Sequence, residues 1–333
     1  MKILLINNYE LEAYIRASKE DKTPCNHNWG GDYLIDKGED VDILMIGHPY
    51  SNRFGILLYR FWFNLKLLFS IKKYDAVVSF FTPVIDFLGY FRKIGLYPHC
   101  RLYTLSHHGV KTWQLKGKYN KVFFISKDIM KLYKNKISSP MEYLEWGPDI
   151  SFYREFNTEN RKGNIKFITA GKTNRDDILV EKVCSQLGIP LTLLNSNFVK
   201  QDGKIIKSNS HKWGNIVSYH QMLEYMSYCD VSIIPVVKDF SPTSLCGLTS
   251  FDDAIAMGHC IVMSDNTNIS VDIEGNKMGL LYKAGDEADL KEKLSFLASH
   301  PDLTREYGRN ARKYAEEHSY RHYCEELYRM IQD

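Results

Sequence analysis

At 333 residues the chain has room for two domains, and 44% hydrophobic with 25% charged residues excludes a disordered or fibrous class. The formal net charge of +3 hides an asymmetry: between Ile43 and Lys127 thirteen Lys and Arg stand against two acids, Asp75 and Asp86, a local +11 that leaves −8 for the rest. Such an imbalance points to an anionic partner for the basic part: nucleic acid, a phosphorylated ligand or a membrane surface.

The N-terminal run MKILLINNYE enters a strand-like segment at once and lacks the charged start, long apolar stretch and small-residue cleavage site of a signal peptide. A cytoplasmic location is therefore expected. Seven scattered cysteines with no CxxC pair exclude a disulfide framework and any familiar zinc spacing.

Continuously apolar runs predict buried parallel strands at Lys2–Asn7, Asp42–Ile46, Ala76–Phe81, Arg101–Ser106 and Lys121–Ser126 in the first half. In the second half they fall at Ile165–Ala170, Pro190–Leu194, Val231–Val236, Cys260–Ser264 and Gly279–Tyr282. Helical patterns lie between them, among them Asp176–Leu187, Tyr219–Tyr228, Thr249–Met257 and Asp286–Ser299, with one or two more from Pro301 to Asp333. This alternation argues for doubly wound α/β architecture.

Ile56–Lys73 is about one bilayer crossing long, but Arg60, Asn64, Lys66, Lys72 and Lys73 interrupt it, so a true span is set aside. The reading adopted is a core helix covering a sheet. Its alternative is a helix lying on a lipid surface with its cations at the headgroups. The polar stretch NTENRKGN, 157–164, predicts the boundary between an N-terminal domain of residues 1–156 and a second of residues 164–315. A C-terminal helix, 316–333, would be free to pack back on the first.

Chemistry concentrates at predicted strand ends. Gly247-Leu248-Thr249-Ser250 opens a helix in which Thr249 or Ser250 suits the N-cap and Asp252 and Asp253 the first turn. Free amides at such a start form a phosphate site, although a well-capped helix needs no ligand. Gly171-Lys172-Thr173-Asn174-Arg175-Asp176 follows the second half's first strand and places two cations at the edge where doubly wound sheets bind ligands. Arg grips phosphate through two N–H groups and Lys acts as a point charge. No Asp-x-Asp or His cluster suggests a metal.

With these motifs the chain resembles the retaining, metal-independent nucleotide-sugar glycosyltransferases of family 4. The Gly171–Asp176 loop looks like the family's Gly-Arg/Lys loop. Tyr225–Pro235, YMSYCDVSIIP, is similar to its "aDv.v.Ps" strand. Asp253–Gly258 followed by Ile261–Asp265 looks like its "EAMAxGxPVVxsd" block, and Gly308–Arg312 like its closing helix. In the first half MKILLIN, Ser126-Lys127 and Trp146–Phe152, similar to the "NGvDxxxF" crossing, are weaker matches.

The resemblance implies an α/β fold of two facing Rossmann-like domains, the GT-B architecture, with a C-terminal helical segment. It implies transfer, with retention, from a UDP- or GDP-sugar to a saccharide or lipid-linked acceptor, in surface polysaccharide or glycolipid synthesis. No cofactor or metal is expected. Lys172 and Arg175 would stabilise the departing diphosphate, and Gly171, Gly247, Leu248, Thr249, Ser250 and Asp253 would bind the donor, Asp253 through the ribose. Of the family's paired acids, eight apart, the first falls on Leu245, which cannot contact sugar hydroxyls; Asp239 is a substitute to consider.

Ser106-His107-His108-Gly109 resembles the family's His-Gly loop, and His108, directly before the Gly, is taken as catalytic. His107 is placed with His27, Trp29 and Gly31 of the Asn26–Gly31 loop as acceptor-binding, although packing accounts for Trp29 equally well. A phospholipid-linked acceptor would bring the enzyme to the inner face of the cytoplasmic membrane and explain the basic half. Rival readings are another GT-B reaction, such as a nucleotide-sugar 2-epimerase, or a non-catalytic nucleotide-sugar or nucleic-acid binding protein. The chain carries no helix-turn-helix or RNA-binding signature and no convincing pair of glycosidase carboxylates.

Overall fold

A computed structural model of the chain describes residues 1–47, 52–155, 161, 163–208, 216–239, 241 and 243–332. The predicted boundary stretch lies mostly outside them, as do Phe240, Pro242 and residues 209–215. The chain forms two units, Met1–Trp146 with Tyr320–Asp333, and Gly147–Ser319. It thus leaves the first unit after Trp146 and re-enters it at Tyr320. Both ends of the second unit meet: a Cβ on Gly147 would fall on the His318 carbonyl.

The first unit runs β1 (Lys2–Asn7), α1 (Leu11–Lys19), α2 (Gly31–Asp36), β2 (Asp40–Met45), α3 (Arg53–Ser70), β3 (Ala76–Ser79), α4 (Asp86–Lys93), β4 (Arg101–Ser106), β5 (Lys121–Phe124), α5 (Lys127–Tyr133) and β6 (Met141–Tyr143). Its six-stranded sheet has the order β2-β1-β3-β4-β5-β6, and every pair is parallel. The second unit runs β7 (Phe167–Ala170), α6 (Asp177–Leu187), β8 (Leu191–Leu194), β9 (Phe198–Gln201), β10 (Lys204–Ser208), α7 (Tyr219–Ser227), β11 (Val231–Ile234), α8 (Leu248–Ala256), β12 (Cys260–Ser264), β13 (Gly279–Tyr282), α9 (Glu287–Ser299) and α10 (Pro301–Glu317). Then α11 (Tyr320–Gln332) returns to the first unit.

The seven-stranded order is β10-β9-β8-β7-β11-β12-β13, parallel except for β9 and β10. The antiparallel β9–β10 hairpin extends the sheet beyond β8. Asp202 and Gly203 both adopt positive φ, 49° and 78°, the two-residue turn that Asp-Gly favours. Strands β7, β8, β11 and β12 are buried on both faces, as parallel strands under helices must be, with Ile233, Val262 and Leu193 in the core beside α6 and α9. The Asp42–Ile46 expectation changes: β2 is an edge strand, so most of it is half exposed.

The largest departure is α3. It is not a core helix covering a sheet: only Asn64 and Leu67 are buried on it. Against α4, Phe61 sets its ring edge-on to Phe87 and Phe91 (5.4 and 6.0 Å), and beside it lies a polar cluster. Asn64 Nδ2 donates to the Arg60 and Val84 carbonyls (2.7 and 2.9 Å), Asn64 Oδ1 accepts from Leu88 N–H (2.9 Å), and Arg60 pairs with the fully buried Asp86. Buried polar groups need such partners, and here they fix which side of the helix packs. Phe54, Leu57, Leu58, Trp62 and Phe69 are left exposed.

Candidate functional site

The second unit's site grows from two loops at the C-terminal edge of its sheet. The chain after β7 pairs with the chain after β11: Asp176 N–H donates to Pro235 O (2.8 Å) and Val237 N–H to Asn174 O (3.0 Å), with Arg175 opposite Val236. Asn174 turns the loop with φ 52°, and Cys246 Sγ donates to Thr173 O (3.0 Å). This pairing turns Arg175 back over the start of α8.

Arg175 Nη2 donates to Ser250 Oγ (2.7 Å), and Ser250 Oγ donates to Ala170 O (2.8 Å). Nε and Nη1 of the same guanidinium are buried and have no hydrogen-bond partner among the described residues. Two glycines make room for it. A Cβ on Gly171 would run into Nε, and a Cβ on Gly247 would stand 3.5 Å from Nη1 and 3.1 Å from Ile234. Burial pushes the guanidinium below its ordinary pKa, opposed by charges including Asp177. A buried cation with unsatisfied N–H groups costs the fold stability unless an acceptor reaches it.

Helix α8 starts earlier than the sequence suggested. Its N-cap is Gly247, at φ 99°, with no side-chain cap, so Thr249 and Ser250 are already helical and no acid lies in the first turn. The left-handed glycine lets Leu248 begin the helix directly over Arg175. The uncapped N-terminus adds its partial positive charge to the guanidinium beside it.

Asp253, one turn deeper, is 5% exposed. Its Oδ1 accepts from Tyr153 Oη (2.5 Å) and from Tyr219 Oη, while Oδ2 has no partner among the described residues. Burial raises its pKa from 3.8 to about 6, against the lowering effect of the two tyrosines. A raised folded-state value means stability that is fully present below the unfolded-state pKa and lost as pH rises through about 6. The charged form is disfavoured by about 3 kcal/mol. Asp253→Asn should remove that loss, so the variant's unfolding free energy should gain about 3 kcal/mol on the parent between roughly pH 4 and 7. A pH-independent difference in urea titrations would show that Asp253 ionises normally.

Thus Gly171, Arg175, Gly247 and Ser250 come together around one guanidinium, with Leu248 and Thr249 on the same first turn. Lys172 is exposed on the loop. Leu245 is buried and Asp239 exposed. Tyr153 and Tyr219 are the partners that sequence reading missed. Tyr153 directly follows the Trp146–Phe152 motif, but nothing in that motif tells which helix it meets.

In the first unit His107 and His108 follow β4. His107 Nδ1 lies 2.9 Å from Phe80 O, and burial lowers its pKa to about 4, so the imidazole is neutral at pH 7. His108 is exposed, its ring 4.4 Å from that of His107, and its carbonyl accepts from Ser106 Oγ (2.7 Å). Trp29 is packed: it stacks on Trp146 (5.3 Å) and Phe80 (6.1 Å) and meets His107 at 5.5 Å, while its Nε1 donates to Tyr9 Oη. His27 sets its ring against Trp146 at 5.5 Å and is held neutral by burial, its pKa near 4.

Gly31 sits in the core, where a Cβ would lie 3.2 Å from Leu5 and 3.4 Å from Ile15. Its neighbour Gly30 donates its N–H to Tyr320 Oη (2.8 Å), and that hydroxyl donates to Asp32, so α11 fixes the loop. So His27, Trp29 and His107 share one aromatic cluster with Trp146, and Gly31 supports it from behind. Among the described residues, no group of three or more His, Cys, Asp or Glu could hold a metal ion.

No known family model matches the sequence, and no curated protein matches it at significance. Solved structures match over the whole chain. Sucrose-phosphate synthase from Thermosynechococcus elongatus aligns with a TM-score of 0.69 at 11% identity, covering 100% of this chain and 98% of its own. HepE from Anabaena, in complex with UDP, aligns at 0.64 and 12% identity over 100% of both chains. A glycosyltransferase from Rickettsia africae aligns at 0.66 and 14% identity, over 99% of this chain and 97% of its own. At these identities the likeness shows the fold: two Rossmann-like units of GT-B type with a C-terminal helical segment.

Proposed function

We propose that the protein is a retaining glycosyltransferase that moves a sugar from a UDP- or GDP-sugar to a saccharide or lipid-linked acceptor. The observation that carries this reading is the buried Arg175 guanidinium, with Nε and Nη1 unpaired among the described residues, between Gly171, Gly247 and the uncapped start of α8. Such a group suits a diphosphate, which accepts two parallel N–H bonds from arginine and further bonds from helix amides. Fold neighbours that hold UDP and UDP-glucose support the same reading.

In the proposed reaction the bond between the sugar's anomeric carbon and the β-phosphate oxygen breaks, and its electron pair leaves on the diphosphate. Arg175 and the α8 amides meet that developing charge, and Lys172 adds a second cation from the loop. Preorganised donors of this kind lower the barrier because they need not reorient. The acceptor hydroxyl attacks from the leaving-group side and passes its proton to the departing phosphate oxygen, which retains the anomeric configuration. No metal takes part.

Gly171, Gly247, Leu248, Thr249 and Ser250 form the donor cradle. Asp253 offers the ribose its Oδ2, the tyrosines having taken Oδ1. His108, exposed beside the aromatic cluster, is assigned to the reacting sugar. His27 and His107 are assigned to the acceptor side, held in place by the packed Trp29 and, from behind, by Gly31. Surface polysaccharide or glycolipid synthesis at the inner face of the cytoplasmic membrane is the setting proposed.

Calorimetry against UDP, GDP and their common sugar conjugates tests the donor. Saturable binding of at least one is expected, and no binding across the panel would overturn the reading. With a turned-over acceptor, proton NMR of the first-formed product should show the donor's own anomeric configuration; inversion would rule out the retaining course.

A further inference from the structure

We propose that the outward face of α3 is a docking surface for an anionic lipid bilayer, on which the helix lies flat without crossing. The helix packs through a side that mixes Phe61 and Leu67 with bonded polar groups, and leaves an apolar stripe outside. Its polar residues Arg60 and Asn64 face α4 and are tied there by the Asp86 pair and by the Val84 and Leu88 backbone. On the other side Phe54, Leu58, Trp62 and Phe69 fall within about 80° of one another at the α-helical pitch. They are 75%, 46%, 53% and 84% exposed. Three large aromatics and a leucine left in water on one stripe exceed the scattered apolar exposure that soluble surfaces carry.

Charge chooses the occupant. Lys66 on the helix, Lys72 and Lys73 just after it and Lys93 at the end of α4 are exposed. They belong to the segment between Ile43 and Lys127 that holds the local excess of +11. The donor cradle lies in the other unit, so the diphosphate does not account for this charge. Aromatic and aliphatic side chains flanked by lysines match the boundary between acyl chains and anionic headgroups. Helix α4 ends beside α3 in the same way, with Ile94 and Leu96 exposed after Lys93. Crossing is excluded by the same bonds that orient the helix: a span would have to pull Arg60 and Asn64 out of their buried partners and into hydrocarbon.

Flotation of the full-length protein with phosphatidylcholine vesicles, with and without phosphatidylglycerol, tests this with no dependence on donor or acceptor. A failed glycosyltransferase reading and a failed docking surface are therefore distinguishable. Binding is expected only with the anionic lipid and should weaken as salt rises. Trp62→Ser combined with Phe69→Ser should lower the partition coefficient at least about tenfold, since two large aromatic surfaces are withdrawn from the acyl boundary. Its melting temperature should stay unchanged, because both side chains point away from the fold. Lys66→Glu with Lys93→Glu should abolish the preference for the anionic lipid. Absence of vesicle binding, or equal binding by the Trp62/Phe69 variant, would overturn the proposal. So would dimers of the parent that the same variant dissolves, or duplex DNA held more tightly than the vesicles.

Discussion

Arg175→Met should lower affinity for a nucleoside diphosphate about a hundredfold, the value of two charge-assisted hydrogen bonds lost in a buried site. The loss should appear in calorimetry and be larger still in kcat/KM, because the guanidinium meets charge that grows on the diphosphate as it leaves. The unusual part is the stability that accompanies it. Nε and Nη1 of Arg175 are buried without partners among the described residues, so the free protein bears their desolvation, and an apolar side chain of similar length removes that burden. The melting temperature of the nucleotide-free variant should equal or exceed that of the parent, while stabilisation by added UDP or GDP should disappear. Arg175→Lys keeps charge and loses the fork; most of the affinity should go with it. Unchanged affinity in Arg175→Met, or a large fall in its melting temperature without ligand, would show that the arginine serves packing.

Gly308→Ala should destabilise the second unit by about 3 kcal/mol, at the upper end of overpacking costs. Gly308 lies in the middle of α10, where the helix backbone presses on the end of α8: an added Cβ would fall on the Gly258 carbonyl oxygen and reach 3.4 Å from the Cys260 amide. Gly258 itself turns the chain from α8 into β12 with φ 65° and cannot easily move. Backbone lies on both sides of the contact, so no side chain can swing aside. Arg309→Ala, one residue on and exposed, should change stability by less than about 0.5 kcal/mol. Urea unfolding followed by far-UV circular dichroism separates the two, and equal midpoints would mean that α10 shifts freely along α8.

The motif Gly308–Arg312, noticed in the sequence only as a resemblance, thus has a steric reason in α10. Other parts of the fold were legible for equally concrete reasons. Lys2–Asn7, Arg101–Ser106 and Cys260–Ser264 are strands over their predicted lengths, because central parallel strands covered on both faces must be almost wholly apolar. Strand β6 has three residues and no run to recognise. Strand β10 is exposed throughout, so its Asp-Gly turn was the one signal to read.

Helix α3 misled because composition reports how much apolar surface a helix has and is silent on which side the fold will use. Two bonded side chains, Arg60 and Asn64, made that choice through Asp86, Val84 and Leu88. At the candidate site, residue types and strand-end positions were readable, but the direction of Arg175 was not. It depends on the pairing of two loops sixty residues apart in the chain and on a missing Cβ at Gly171 and Gly247.

The return of α11 to the first unit makes the second unit an insert. Gly147 and Ser319 lie side by side, so 147–319 is a continuous length of chain whose two ends emerge together. Excised at those points, it is the piece to express alone for calorimetry of the donor cradle. A trimmed C-terminus would act far from where it is cut: without Tyr320 the Gly30 amide and Asp32 lose their shared hydroxyl, and without Tyr323 and Leu327 the aromatic loop around Trp29 loses its backing. The last fourteen residues are, in folding terms, part of the N-terminal half.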